Sequence, residues 1–363
     1  MYREHTIGVV VPAYNEEGFI GEVIETMPDY VDRVYVIDDC STDGTWDAIR
    51  ESAEKANERA RRRGPLAVNE MLEPVPVEVA DDESLVEVDG GVENESVFSP
   101  RIVPIQHDHN RGVGGAIKTG YKHALDDEIE ITAVMGGDGQ MNPDILHKFL
   151  NPIVEDKADY AKGNRLLYKE YRHQMPKLRF IGNAILTFLT KISSGYWKTM
   201  DPQNGYTAIS KYALENVGID AMYEYYGYCN DLLVKLNAKG MSVADVAMPA
   251  EYGEEVSSIK YRTYIRKVSG MLLRNFFWRL KVKYLVLDFH PLALFYLFGI
   301  TTSTLGILGG VWALNLKYNK DFALFVPAAS SLLVFILGVL FLMFAMLFDM
   351  QVNEDKETQI HDR

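Results

Sequence analysis

Tyr14 and Asp39 have side chains that could bind a nucleotide, and each follows a short apolar run of the chain. A carboxylate such as that of Asp39 can accept hydrogen bonds from a base N–H or a ribose hydroxyl, and the ring of Tyr14 offers a stacking face. An ordinary capped turn is the alternative, because Ser41 and Asp43 are common residues at helix N-termini. The choice depends on the elements that carry these side chains.

Apolar runs and helical patterns alternate over the first 135 residues. Thr6–Pro12 and Val34–Ile37 are β-branched runs that predict strands buried on both faces of a sheet. Helices are predicted at Glu16–Met27, Thr42–Arg63 and Val113–Leu125. Two more strands are predicted at Arg101–Gln106 and Glu130–Met135. The alternation predicts an α/β domain with a doubly wound, mostly parallel sheet. Tyr14 and Asp39 would then lie at the carboxyl ends of two strands, where such sheets bind ligands.

Charge is distributed unevenly along the 363 residues. The net charge is −14, from 51 acidic and 37 basic residues, so the overall composition gives no support to binding of nucleic acid. Ten acidic residues and no Lys or Arg lie in the segment 64–100. Its length and composition predict a solvated insertion without a catalytic role. The two cysteines and the absence of a signal-peptide pattern predict a domain that stays in the cytosol.

Two long apolar segments follow near the C-terminus. Leu292–Leu314 has 23 residues without a charge and Phe322–Phe348 has 27, and either is long enough to cross a hydrocarbon core of about 30 Å. Two buried helices of a globular domain are the alternative, but they would show a polar face. The sequence therefore predicts a transmembrane hairpin with a loop at 315–321.

The residues before this hairpin are basic and aromatic. Lys260–Lys283 contains eight Lys or Arg and no acidic residue. We interpret it as an amphipathic segment whose basic side faces anionic lipid headgroups, with a solvated basic helix as the alternative. The positive-inside rule then places the α/β domain and the polar C-terminal tail in the cytoplasm. The predicted divisions, from α/β domain through interfacial segment and hairpin to tail, are 1–255, 256–289, 290–350 and 351–363.

Six short motifs occur in order between Thr6 and Lys260. They are VPAYNEE, VIDDCSTDGT, HNRGVGGAIKTGY, MGGDGQMNP, KGNR and DPQNGY. With these motifs the chain resembles the family-2 glycosyltransferases of GT-A fold, most closely the group of dolichyl-phosphate mannose and glucose synthases. The resemblance implies a Rossmann-like GT-A domain that takes a sugar from a nucleotide-sugar donor. It also implies a nucleotide site formed by Pro12, Tyr14, Glu16, Ile37 and Asp39.

The resemblance assigns further contacts to the donor. Asn110, Gly112 and Gly114 would bring the backbone close to it, because glycine has no side chain in the way. Lys260 is a further candidate for contact with a phosphate. A nucleotide-sugar donor is therefore a predicted partner of the chain.

A metal ion is also implied. The family usually has Asp-x-Asp at the fourth strand, followed two residues later by Gln, to bind Mg²⁺ or Mn²⁺ on the diphosphate. The corresponding residues here are Gly136, Asp138 and Gln140, so the first carboxylate is missing. One carboxylate, one amide oxygen, two phosphate oxygens and waters still complete an octahedron. We therefore keep the metal as an expectation, with Asp138 as its principal ligand.

Arg165, in the motif KGNR, matches the arginine of the family's acceptor loop. A planar guanidinium can bind a phosphate through two hydrogen bonds, although a surface arginine is the alternative. The resemblance thus implies a polyprenyl or dolichyl phosphate acceptor, which is ionised near pH 7 and needs alignment more than a strong base. We expect in-line attack with inversion, with Asp138 stabilising the leaving diphosphate. Asp201 or Asp231 would act as a base only for a hydroxyl acceptor.

Two other functions stay open. One is a transferase that extends a lipid-linked glycan or a polysaccharide at a hydroxyl; the Gln-x-x-Arg-Trp motif of processive synthases is absent. The other is an inactive membrane scaffold, suggested by Gly136, although Asp39, Asp138, Gln140 and Arg165 argue against it. A UDP-sugar is slightly preferred to GDP-mannose as donor, but the contacts that distinguish them lie in loops whose spacing is uninformative. A homo-oligomer also stays open.

Overall fold

The structure is a computed structural model that describes residues 1–63, 99–167, 177–249, 261–320 and 323–360. Lys260 and nearly all of the acidic insertion lie outside the described residues. The strands are β1 Ile7–Ala13, β2 Arg33–Asp38, β3 Ile102–Gln106, β4 Ile131–Val134, β5 Tyr160–Asn164, β6 Thr207–Ser210, β7 Val243–Ala247 and β8 Glu357–Ile360. The helices are α1 Ile20–Glu25, α2 Thr45–Arg63, α3 Val113–Asp126, α4 Leu146–Val154, α5 Lys177–Ser194, α6 Lys211–Val217, α7 Tyr228–Ala238, α8 Tyr261–Lys281, α9 Leu292–Lys320 and α10 Phe325–Asn353.

One sheet organises the α/β domain, in the strand order β3-β2-β1-β4-β6-β5-β7-β8. Only β6 runs against its neighbours among these strands. Successive side chains of a strand point to opposite faces, so Val9 and Val11 pack with α1, α2 and α4 while Val10 packs with α3, α6 and α7. The continuous apolar runs are explained by this burial on both faces, and the predicted α/β class with a mostly parallel sheet is confirmed.

Two helices, α9 and α10, are long and apolar enough to cross a membrane. Only 28% and 11% of their most apolar windows are buried, which sets them apart from core helices of a globular domain. They pack closely on each other: a Cβ on Gly306 would lie 2.5 Å from the backbone N of Phe335, and one on Gly338 would lie 2.3 Å from that of Ser303. The predicted loop at 315–321 is wrong, because residues 315–320 continue α9.

Helix α8 joins this hairpin to the α/β domain. It packs against α5 and α7 and buries Val268, Met271 and Leu272. Its other side exposes the apolar residues Leu273 and Phe277. The basic residues of this segment do not all face outward as expected, since the side chain of Arg279 is fully buried.

The buried charge of Arg279 is paired with Asp349 of α10. The guanidinium donates two parallel hydrogen bonds, NH1 to Oδ1 (2.9 Å) and NH2 to Oδ2 (2.8 Å), and its Nε donates to the carbonyl of Ser193 in α5 (2.8 Å). Tyr284 Oη also donates to Asp349 Oδ1 (2.8 Å). Such a bidentate pair is strong and directional. It connects the α9–α10 hairpin to the helices of the α/β domain.

Asp349→Asn is expected to lower the free energy of unfolding by about 3–5 kcal/mol, because it leaves the buried guanidinium of Arg279 without a counter-charge. Denaturant unfolding of the protein in detergent micelles measures the change. Asp288→Asn removes an exposed carboxylate near the same joint and is the matched control. A loss of less than about 1 kcal/mol, the value of an ordinary exposed pair, would contradict the role given to this contact.

The chain returns to the sheet after α10. Glu357–Ile360 forms the edge strand β8, which runs parallel to β7 with Val243 opposite Glu357. The predicted tail at 351–363 is therefore corrected: its first residues continue α10 and residues 357–360 belong to the sheet. Both ends of the hairpin thus connect to the α/β domain, through α8 before it and β8 after it.

Candidate active site

The loops after β1 and β2 are joined by hydrogen bonds at the carboxyl end of the sheet. Asn15 donates its N–H to Ser41 Oγ (2.9 Å) and accepts the N–H of Thr42 at Oδ1 (2.8 Å). Its φ of +59° lies in the left-handed region, which asparagine tolerates better than most residues. These hydrogen bonds between the two loops hold Pro12, which is half-buried, and Tyr14, which is 46% exposed, at the edge where α/β sheets bind ligands. The exposed ring of Tyr14 suits the predicted stacking on a base.

Glu16 and Ile37, two more residues assigned to the nucleotide, lie at different depths. Glu16 is half-buried and donates its N–H to Thr45 Oγ1 (2.7 Å), which fixes the start of α2 against the β1 loop. Ile37 is fully buried in the core on the α3 side of the sheet. Its side chain supports the strand that carries Asp39 and does not reach the edge, so a side-chain contact with the nucleotide is not supported.

Asp39 is buried and holds the loop that follows β3. Its carboxylate accepts the N–H groups of Arg111 at Oδ1 and Gly112 at Oδ2, both at 2.8 Å. His107 Nδ1 lies 2.8 Å from Oδ1, and His107 Nε2 lies 2.9 Å from Thr119 Oγ1. His107 is a residue that the sequence reasoning missed, and its only signal was its place at the end of β3. The carboxylate of Asp39 thus orders residues 107–112. We call this segment the donor loop, because the sequence predicts donor contacts there.

The glycines of that loop are required by the chain itself. Gly112 has a φ of +80°, and a Cβ there would lie 2.7 Å from the carbonyl oxygen of Glu224. A Cβ on Gly114 would lie 2.4 Å from the carbonyl oxygen of Tyr223. Asn110 closes the turn, because its Oδ1 accepts the N–H of Gly112 (3.1 Å). The backbone of 223–224 occupies the space that a side chain would need at these two positions. The predicted close approach of the loop to a donor stays a prediction.

Asp138 lies at a cavity of about 500 Å³ beyond the end of β4. Its Oδ1 accepts the N–H of Gln140 (3.1 Å), and burial raises the pKa of this carboxyl above its usual range. A Cβ on Gly136 would lie 2.9 Å from Asp138 Oδ1, so the two positions face the same space. Within the described residues, no group of three or more His, Cys, Asp or Glu forms a metal cluster. The cavity is lined by Phe19, Glu22, Val23, Thr26, Met135, Asp138, Gly139, Gln140, Met141, Asn142 and Pro143.

Arg165 and Asp201 form a second centre, beyond the end of β5. Arg165 donates Nε to Asp201 Oδ2 (2.7 Å) and NH2 to Oδ1 (2.9 Å). Asp201 is 1% exposed and has a φ of +48°. Burial opposes its ionisation, but the guanidinium of Arg165 outweighs this and holds the pKa of Asp201 below its usual range. This geometry favours a carboxylate that orients Arg165 over one that abstracts a proton.

Lys162 and Asp245 form a buried ion pair next to the Arg165–Asp201 centre, and the sequence analysis did not predict it. Lys162 and Asp245 are both almost completely buried, with Nζ 2.8 Å from Oδ1. Lys162 also donates to the carbonyl of Met200, and Asp245 Oδ2 accepts the N–H of Met200 (2.8 Å). The pair therefore fixes the backbone immediately before Asp201.

Asp231 has a different setting from the other candidates. It is 1% exposed. It accepts hydrogen bonds from the N–H of Tyr223 (2.9 Å), from Asn275 Nδ2 of α8 (2.6 Å) and from Lys235. These contacts join α7, α8 and the segment beside the donor loop, and they favour a bracing role over that of a base.

The carboxyl edge of the sheet carries the polar loops of the chain, Asp138 and the Arg165–Asp201 pair. This is the edge at which α/β sheets bind nucleotides, and the fold and site together define a glycosyltransferase of GT-A fold. The sequence model of "Glycosyl transferase family 2" matches residues 8–63 and 72–218. That is more than half of the chain, which belongs to glycosyl transferase family 2.

Similar proteins include two from methanogens. The chain is 27% identical over 249 residues to the UDP-N-acetylglucosamine–dolichyl-phosphate N-acetylglucosaminyltransferase of Methanococcus voltae, covering 68% of this chain and 86% of that protein. It is 27% identical over 249 residues to an uncharacterized protein of Methanocaldococcus jannaschii, covering 68% and 82%. Among solved structures, glucosyl-3-phosphoglycerate synthase from Mycobacterium tuberculosis, in complex with Mn²⁺, UDP and glucosyl-3-phosphoglycerate, has 17% identity and a TM-score of 0.47, over 76% of this chain and 80% of that chain.

Proposed function

We propose that this glycosyltransferase transfers one sugar, with inversion, from a nucleoside diphosphate to a polyprenyl or dolichyl phosphate at the cytoplasmic face of a membrane. The proposal of a lipid acceptor depends on one observation. The two apolar helices are bound to the α/β domain through the buried Arg279–Asp349 pair, and the chain after them forms strand β8 of its sheet. Membrane anchorage is then built into the catalytic domain. The Methanococcus voltae relative, whose name gives a dolichyl-phosphate acceptor, supports the same reading.

The donor and the orientation are part of the proposal. The name of that relative gives UDP-N-acetylglucosamine, which favours a UDP-sugar over GDP-mannose. The eight basic residues between 260 and 283 favour a cytoplasmic position for the α/β domain. Because the chain enters and leaves the hairpin from this domain, β8 lies on the same side.

Asp138 and Gln140 fit a divalent cation. Their segment follows β4 at the carboxyl edge and lines the cavity there, and the carboxylate of Asp138 lies beside Gly136. Mg²⁺ is commonly held by one or two carboxylates together with substrate phosphates and waters, so a single aspartate and an amide oxygen are enough. Bound there, Mg²⁺ or Mn²⁺ would neutralise negative charge on the leaving diphosphate.

The chain's own groups align the reaction. Tyr14 offers a face to the base, and Asp39 orders the loop of Asn110. Arg165, oriented by Asp201, holds the acceptor phosphate as it approaches the anomeric carbon. A phosphate oxygen forms the new C–O bond while the bond to the nucleoside diphosphate breaks and its electron pair leaves with that group. The acceptor is already ionised near pH 7, so alignment and charge neutralisation replace a general base.

Gly136→Asp is expected to tighten Mn²⁺ binding about tenfold, because it adds a second carboxylate ligand beside Asp138. Without metal, the same change should lower the thermal unfolding temperature, since two carboxylates would then share one space. Calorimetric titration with Mn²⁺ in the presence of UDP measures the affinity. Gly136→Asn matches the size without the charge, and equal Mn²⁺ affinity in the two variants would contradict the metal site.

The test of the function is direct. The purified, detergent-solubilised protein is incubated with Mg²⁺ or Mn²⁺ and with either polyprenyl phosphate or a lipid-linked glycan as acceptor. UDP-glucose, UDP-N-acetylglucosamine and GDP-mannose are tested in separate reactions, and lipid products are read by mass spectrometry. A monoglycosyl phospholipid from one donor is the expected result. Transfer only to the hydroxyl of a lipid-linked glycan would support the extending transferase. No product with any acceptor, while nucleotide still binds, would support the inactive scaffold.

A further inference from the structure

Glu357, the first residue of the edge strand β8, binds the backbone of residues 197–199, which lie far from it in the sequence. Glu357 accepts three consecutive N–H groups: Trp197 at Oε1 (2.7 Å), Lys198 at Oε2 (2.8 Å) and Thr199 at Oε2 (2.7 Å). Hydrogen bonds to an ionised acceptor are about twice as strong as neutral ones. Three of them in a row fix the path of 197–199 relative to β8.

That segment leads directly into the acceptor centre. The next residue, Met200, donates its N–H to Asp245 Oδ2 (2.8 Å). Asp201 follows in the left-handed region and binds Arg165 through both carboxylate oxygens. Four consecutive amides are thus held by the carboxylates of two neighbouring strands, β7 and β8, just before the residue that orients the arginine.

The residues before this segment are held by Arg279 of α8. Arg279, paired with Asp349 of α10, donates to the carbonyls of Ile192 (3.2 Å) and Ser193 (2.8 Å). Gly195 has a φ of +80°, and a Cβ there would lie 2.3 Å from Arg279 NH1. Only the short turn Glu354–Lys356 separates α10 from β8. Residues 192–199 are therefore held at one end by Arg279 of α8, which is paired with α10, and at the other end by Glu357 of β8.

We propose that Glu357 is a positioning residue for the acceptor phosphate, acting through segment 197–201 on the Asp201–Arg165 pair. This rests on the proposed lipid-phosphate acceptor. The residues after the second membrane helix then serve binding of the acceptor, and the donor side, built on the loops after β1, β2 and β3, is independent of them. A purely structural Glu357 would affect stability and both substrates alike.

Glu357→Gln is the test, because it keeps the size of the side chain but replaces one acceptor oxygen by an NH₂ group facing N–H donors. The KM for polyprenyl phosphate should rise about 5- to 10-fold, which corresponds to the loss of one ordinary hydrogen bond. The KM for the nucleotide sugar should change less than about twofold. Hydrogen exchange at the amides of Trp197, Lys198 and Thr199 should become faster, while exchange in β1 stays the same.

Two variants make this result specific. Glu357→Asp keeps the charge and both oxygens, so its KM for polyprenyl phosphate should fall between those of the wild type and Glu357→Gln. Asp355→Asn removes an exposed carboxylate in the adjoining turn and should change neither KM. A parallel rise of both KM values, or unchanged kinetics with a lower unfolding temperature, would overturn the proposal. If the wild type makes no monoglycosyl phospholipid, the acceptor function fails, and unchanged exchange at 197–199 would additionally overturn the positioning contact.

Discussion

Asp138→Asn is expected to lower kcat for sugar transfer by about 100- to 1000-fold, the range seen when one group that stabilises developing charge is removed. Asparagine keeps the size of the side chain and can still accept the N–H of Gln140, which Asp138 Oδ1 accepts at 3.1 Å. It removes the one carboxylate of the Gly136, Asp138 and Gln140 set, and with it the charge that would hold a divalent cation at the leaving diphosphate. Turnover is measured with polyprenyl phosphate and the active donor, at saturating Mn²⁺.

The matched control is Asp144→Asn. This carboxylate is exposed and lies six residues further along the chain, so a general effect of lost negative charge would appear in both variants. Thermal unfolding of both variants separates a loss of chemistry from a loss of folded protein. If Asp138→Asn makes product at the wild-type rate, neither a metal at this carboxylate nor its role at the diphosphate is tenable.

The fold was largely readable from the sequence for a physical reason. Strands buried on both faces must be apolar without interruption, so Thr6–Pro12 and Val34–Ile37 stand out as β-branched runs between helical patterns. In a parallel sheet the carboxyl ends of such strands share one edge, so the sequence alone predicts that Tyr14 and Asp39 lie close together. The two long apolar helices were also predictable, because the length and hydropathy of a segment can be read from its own residues alone.

The connections between distant parts of the chain were not readable. Strand β8 has four mostly polar residues and no distinctive pattern, and its partner β7 lies more than 100 residues earlier. Lys162 and Arg279 look like surface residues in sequence, since such residues are seldom buried without a partner. Their partners, Asp245 and Asp349, lie far along the chain.

The glycines of the donor loop show a further limit of sequence reasoning. Gly112 and Gly114 mark a place where something approaches the backbone closely, and the sequence cannot distinguish a ligand from another part of the chain. The structure places the carbonyls of Glu224 and Tyr223 there. The carboxylate of Asp39 raised the same ambiguity: its hydrogen bonds to the N–H groups of Arg111 and Gly112 use the chemistry that was expected to bind a nucleotide.

Arg165→Lys is expected to lower kcat/KM for polyprenyl phosphate by about 100-fold, because an ammonium group cannot reproduce the two-pronged contact with carboxylate and phosphate. Asp201→Asn should cost a similar amount, about 2–5 kcal/mol for one partner of a buried charge pair, as it leaves the guanidinium without its orienting partner. The KM for the nucleotide sugar should change little in either variant. Initial rates at varied lipid concentration in detergent micelles give these constants.

The double variant decides how Asp201 acts. If Asp201 works through Arg165, Arg165→Lys combined with Asp201→Asn should lose little more than either single change, so the two effects are strongly non-additive. If Asp201 were a base for a hydroxyl acceptor, its loss would multiply the loss of Arg165 and lower kcat independently. The exposed Asp47–Arg50 pair on α2 provides the same two substitutions without a role in the site. Additive losses at the buried pair would therefore favour the hydroxyl acceptor, and a coupled loss favours the phosphate, whose negative charge replaces the need for a base.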